Sequence, residues 1–161
     1  MSASTQTGSR SLVVASYRAV MSPNEFVELL GDKESRVEAI RHLMGGVDAR
    51  ELRRAVVAED VFQALVRGTR NESSVVRWWS VQLLDHCPDE RAYRAVEPLL
   101  DDPVDRVRRN AVHALGCRGC KPTMAAGLDS TVIEKLKSVA VSDPNPKVRH
   151  EAAAALLRRD L

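Results

Sequence analysis

The chain has 161 residues, room for one domain of ordinary size and not for two. A hydrophobic fraction of 44% supports a buried core and excludes disorder, and an aromatic fraction of only 4% argues against a sheet-built fold and for an all-α one. With 24 basic against 22 acidic residues the net charge is +2, which excludes a general polyanion-binding surface and leaves room for a local basic stripe.

In chain order, residues 1–10 are Ser/Thr/Gly-rich, lack the charged-then-apolar pattern of a signal peptide, and read as a flexible arm. Residues 11–21 fit either a helix or an extended arm. Ser22-Pro23-Asn24-Glu25 is a capping box with Pro at the first helical position, which predicts a helix through Leu30. Asp32 caps a second helix that ends at Gly45-Gly46, residues 48–58 read as an extra helix, and residues 60–69 as the next. Further helices are predicted over 75–84, 89–100, 106–115, 130–142 and 147–156. The turns Asp101-Asp102-Pro103 and Asp143-Pro144 stop two of them: Pro cannot continue the helix, and Asp satisfies exposed backbone amides. No apolar run approaches the roughly 20 residues that span a bilayer, so no membrane anchor is expected.

Three of these segments repeat one pattern. Val76-Arg77, Val107-Arg108 and Val148-Arg149 are each followed, four residues after the Val, by a small residue (Ser80, Ala111, Ala152) and, eight residues after it, by Leu (Leu84, Leu115, Leu156). Apolar and small residues at this spacing form one buried helical face, and the small ones permit close helix–helix approach. The copies are offset by 31 and 41 residues, and a weaker fourth copy, Ser35-Arg36 with Ala39 and Leu43, lies 41 residues before the first. The units therefore run over about 22–45, 60–86, 89–116 and 130–159 within a single domain, residues 11–161.

Leu99-Leu100-Asp101-Asp102-Pro103, followed by Val107-Arg108, Ala111 and Ala114-Leu115-Gly116, resembles a HEAT repeat, in particular the short variety found in phycobilisome-lyase subunits. Pro98 inside the first helix of that unit also resembles the kinked first helix of many HEAT units. The resemblance implies a right-handed α-solenoid of about four helix pairs whose second helices line a concave face. It further implies that the arginines of the Val-Arg pairs, Arg77, Arg108 and Arg149, are structural, forming a ladder with turn aspartates. Asp102 and Asp143 hold that aspartate position, and Asn71 replaces it in the second unit. The family spans scaffolds, transport adaptors, chromophore-lyase subunits and a few DNA glycosylases, so it does not specify a function.

Helical geometry selects the available surface. With Val107, Ala111, Ala114 and Leu115 inward, Arg109 and His113 point away, flanked by Arg106. Their counterparts are Trp78 and Gln82 in the preceding unit, and His150 and Lys147 in the following one. A groove carrying Trp78, Gln82, Arg106, Arg109, His113, Lys147 and His150 suits an acidic protein or peptide partner, and its basic residues also suit a nucleic-acid backbone. Trp78 fits equally a groove anchor and a core contact beside Trp79.

The three cysteines, Cys87, Cys117 and Cys120, are too few and too odd in number for a disulfide framework, which points to a reducing, cytoplasmic setting. Cys117-Arg118-Gly119-Cys120 follows a helix, whose C-terminal dipole disfavours the thiolate that a redox motif needs. A single CxxC falls short of the four ligands zinc takes. His113, one turn earlier, and His86, the counterpart of Cys117 one unit back, complete a conceivable zinc set. Free thiols with no cofactor are the simpler reading.

Enzyme motifs are missing: there is no phosphate loop, no HExxH and no nucleophile elbow. Consecutive Asp85-His86-Cys87 point in different directions and cannot form a relay. Asp101, Asp102 and Asp105 read as turn and cap residues. A glycosylase cleft needs more aromatics than the adjacent Trp78 and Trp79 offer. The sequence thus points to a non-catalytic scaffold or adaptor binding a protein on its second-helix face. The alternatives are nucleic-acid binding and an accessory role in a lyase or modification system. The array stops after Leu156-Leu157 without a polar capping helix, which suggests self-association at that end.

Overall fold

The computed structural model describes residues 23–37, 56–117 and 128–158, and among them all regular structure is helical. Helix α1 spans Pro23–Leu29, α2 Glu59–Gly68, α3 Ser74–Leu84 and α4 Arg91–Val96. A 3₁₀ turn, η1, spans Glu97–Asp101, followed by α5 over Asp105–Gly116, α6 over Ser130–Ser142 and α7 over Pro146–Arg158. Residues 33–37 are also helical. Several expectations lie outside the described residues: the arm over 1–10, the 11–21 segment, Ser22 of the capping box, the helix end at Gly45-Gly46, most of the 48–58 helix, Cys120, and the last three residues.

Local chemistry sets the helix starts. Asp32 Oδ2 accepts from the Ser35 amide at 2.7 Å, the side-chain cap expected of it. Asp129 Oδ1 accepts from the Thr131 amide at 2.8 Å and so starts α6. The single helix expected over 89–100 is instead two elements. Asp89 turns its Oδ1 to the Arg91 amide at 2.8 Å, which delays the helix to Arg91. Pro98 has no amide to give and crowds the preceding turn, so the chain tightens into η1 from Glu97.

The repeated triplet forms the core. Val76, Val107 and Val148, the small Ser80, Ala111 and Ala152, and Leu84, Leu115 and Leu156 are all buried. Each fully buried Leu contributes about 1.5–3 kcal/mol of hydrophobic stabilisation. First helices cover second helices within a pair (α2 on α3, η1 on α5, α6 on α7), and the second helices stack in order, α3 on α5 and α5 on α7. Two glycines set the closest approaches. A Cβ on Gly68 would collide with Ser80 Oγ, and one on Gly116 with the Ala155 Cβ.

Candidate functional site

The side chains that hold the second helices in register are the arginines of the Val-Arg pairs. Arg77 donates from Nε to Asp102 Oδ2 at 2.6 Å and from Nη2 to Asp102 Oδ1 at 3.0 Å. Its Nη1 reaches back to the carbonyls of Asn71 at 2.9 Å and Glu72 at 2.8 Å. Arg108 repeats this one unit on, with Nε and Nη2 on Asp143 at 2.7 and 3.0 Å and Nη1 on the Asp102 carbonyl at 2.8 Å. Each guanidinium therefore ties its own turn to the next one, using both edges of its planar fork.

The aspartates have three tasks each. Asp102 Oδ1 also accepts from the Val104 amide at 2.9 Å, and Asp143 Oδ1 from the Asn145 amide at 2.8 Å, which folds the turn that presents the carboxylate. The Arg108 guanidinium is the largest influence on the Asp143 carboxyl and holds it below its ordinary range. Reciprocally, Asp102 raises the Arg77 pKa and Asp143 that of Arg108.

The same geometry appears at both ends of the series in reduced form. Arg36 Nη1 donates to the Leu30 carbonyl at 3.3 Å, six residues back, as Arg77, Arg108 and Arg149 do to Asn71, Asp102 and Asp143. The next turn offers Arg36 no carboxylate, because Asn71 stands there, and its guanidinium lies 5.3 Å from the Trp79 ring centroid instead. Among the described residues Arg149 bonds through Nη1, to Asp143 O at 2.6 Å and Pro144 O at 3.4 Å.

The residues expected to line the groove divide into two groups. Arg106, Lys147 and His150 are exposed, and Arg106 Nη2 donates to Ser74 Oγ on the neighbouring second helix at 3.1 Å. Trp78 and Gln82 are half-buried. Trp78 stands edge-on to Trp79, with centroids 4.8 Å apart and planes at 86°, and its carbonyl accepts from Asn110 Nδ2 at 2.9 Å.

Arg109 and His113 point outward as expected, and carboxylates of neighbouring helices meet them there. Arg109 Nη2 lies 3.7 Å from Glu151 Oε2, while His113 stands between Glu151 Oε1, 3.5 Å from its Nδ1, and Asp85 Oδ2, 3.7 Å from its Nε2. Burial pushes the Glu151 pKa up, but hydrogen bonds from Arg158 and then His113 outweigh it and hold the carboxyl below its ordinary value. Asp85 is only 1% exposed, and neither carboxylate oxygen has a hydrogen-bond partner among the described residues. The middle of the stripe is therefore a basic–acidic cluster spread over α3, α5 and α7.

Position on one helix does not reveal Glu151 and Asp85 as site residues. Their partners lie on neighbouring helices, and only the 41-residue offset, which aligns Glu151 with Asn110 beside His113, points to Glu151.

Of the residues considered for zinc, Cys120 lies outside the described residues. His86, His113 and Cys117 are described, and no group of three or more His, Cys, Asp or Glu among the described residues is placed to hold a metal. Cys87, in the core, directs Sγ at the Val56 carbonyl at 3.8 Å.

A stack of helix pairs stitched turn to turn by arginines is an α-solenoid. A family model for HEAT repeats matches residues 24–116, more than half of the chain, and the chain belongs to the HEAT-repeat family. Among solved structures it is similar to an engineered protein determined by crystallography, with a TM-score of 0.57 and 22% identity. That match covers 84% of this chain and 61% of the engineered one, so the chain spans about three fifths of its length, and the likeness is one of fold. No curated protein matches the chain. No helix among the described residues is long and apolar enough to cross a membrane.

Proposed function

We propose that the chain is a non-catalytic scaffold or adaptor that binds a protein or peptide partner on the face formed by α3, α5 and α7. The observation that carries this reading is the bidentate ladder: Arg77 on Asp102 and Arg108 on Asp143 fix the second helices in register. A rigid array of this kind presents its outward side chains at set spacing, which lowers the ordering cost of binding. On that array Arg106, Lys147 and His150 are exposed and Trp78 is half-buried, a combination of basic side chains and one aromatic suited to an acidic peptide.

Glu151 and Asp85 favour a protein partner over nucleic acid. Two carboxylates in the centre of the stripe interrupt the run of cations a phosphate backbone would follow. No metal or cofactor role is assigned to the described residues in this reading. The test is partner capture from the source cell with the wild-type chain and with Trp78→Ala. The captured protein is expected to be lost with the variant. Unchanged capture, or binding of random nucleic acid with steep salt dependence, contradicts it.

A further inference from the structure

The cations of the second helices differ in what already holds them. Arg77, Arg108 and Arg149 are fixed at the turns, and Arg109 and Arg158 face Glu151. Arg106 and Lys147, in the first turns of α5 and α7, are exposed and join no ion pair among the described residues. A 41-residue offset makes them the same repeat position. Their helix starts are neighbours. Arg106 Nη2 reaches Ser74 Oγ at the start of α3 at 3.1 Å, and Asn145, just before α7, donates from Nδ2 to Asp105 Oδ2 at the start of α5. Asp105, the carboxylate next to Arg106, is thereby occupied, since its other oxygen accepts from the Arg106 amide at 2.6 Å. On α3 the same position is Val75, half-buried, with the half-buried Trp78 one turn further on. Across the three helix starts the face is therefore apolar, cationic and cationic, one helix spacing per step.

We infer that the occupant of this row is an acidic peptide in the polyproline II conformation, lying across the starts of α3, α5 and α7 with a carboxylate at every third residue, a reading that rests on the partner face proposed above. Stacked helices lie about 8–10 Å apart. A polyproline II chain turns once in three residues and rises about 3.1 Å per residue, so residues i and i+3 project from one side about 9 Å apart. A β-strand misses this spacing, because its residues on one side recur at about 7 and 13 Å. An α-helix meets it only at i and i+7, about 10.5 Å, and needs about 15 residues to cross three helices where polyproline II needs about seven. The contact on Val75 and Trp78 takes proline or another apolar residue. An aromatic face suits a proline ring, and the exposed Glu72 ahead of α3 disfavours a carboxylate there. The residues three and six positions along are Asp or Glu, on Arg106 and Lys147. The N-terminal ends of α5 and α7 add the positive ends of their dipoles to these two cations.

Fluorescence anisotropy of the full chain with labelled synthetic peptides tests this spacing. The probe is a proline-rich peptide with one leucine and two glutamates at three-residue intervals, made in both chain directions. Isomers of the same composition place the glutamates two, four or seven residues apart. The three-residue isomer, in one direction, is expected to bind about tenfold tighter than the others and to weaken with salt. Arg106→Glu and Lys147→Glu should each weaken it about tenfold, and a peptide with lysines in place of the glutamates should prefer the double variant to the wild type. Lys137→Glu, the same charge change on α6, should leave binding unchanged. Equal affinity at all spacings, preference for the seven-residue isomer, indifference to both charge reversals, or no binding of any peptide overturns the inference. Loss of the captured partner with Trp78→Ala would still stand in each of those cases, so the spacing and the partner face fail separately.

Discussion

Arg108 closes on both carboxylate oxygens of Asp143 from one repeat unit to the next, at 2.7 and 3.0 Å, with the two side chains 11% and 4% exposed. A pair this buried is costly to break from one side, because the remaining charge has lost its partner but not its burial. Arg108→Ala and Asp143→Ala should each lower stability by about 3–5 kcal/mol in urea unfolding, and the double mutant should cost clearly less than the sum of the two single losses. Arg149→Ala, which among the described residues breaks hydrogen bonds to backbone carbonyls, should cost about 1 kcal/mol. Equal losses for Arg108 and Arg149 would remove the ladder from the account of stability.

Acid should weaken the array through the same rung. The Asp143 carboxyl is held below its ordinary value in the folded chain, by Arg108 first, so folding favours its ionised form. Its contribution is therefore complete above about pH 5 and is lost as pH falls through the folded value, below the ordinary Asp value of about 3.9. Melting temperatures of the wild type and Asp143→Asn measured across this range should differ most near neutrality and converge in acid. A gap that stays constant down to acid would show that ionisation of Asp143 does not contribute.

Gly116 is a steric requirement of the stack. A Cβ there would meet the Ala155 Cβ and come within 3.0 Å of its Cα, which is backbone and cannot swing aside. Gly116→Ala should lower stability by about 1–3 kcal/mol despite the better helix propensity of Ala. A stabilised variant, read by its urea midpoint, would mean that α5 and α7 have room to separate.

Much of this architecture is legible in the sequence because it repeats. The Val, small-residue and Leu positions mark the buried face in every copy, and the spacing of Arg36, Arg77, Arg108 and Arg149 carries the register even where the rest of the pattern is weak. Periodicity hides what departs from the repeat. Pro98 splits one first helix into α4 and η1, a local effect that an amphipathic pattern averages over. His113 has the position of an outward groove residue, yet Asp85 and Glu151 meet it from the helices on either side. Position on one helix gives a side chain's direction and says nothing of the charge that arrives from its neighbours.

In the proposed function the array holds its second helices as one partner-binding face. Hydrogen–deuterium exchange of the chain with and without its captured partner tests this most directly. Added protection is expected to concentrate in Ser74–Leu84, Asp105–Gly116 and Pro146–Arg158, with the first helices Glu59–Gly68 and Ser130–Ser142 unchanged. Protection confined to those first helices would contradict it.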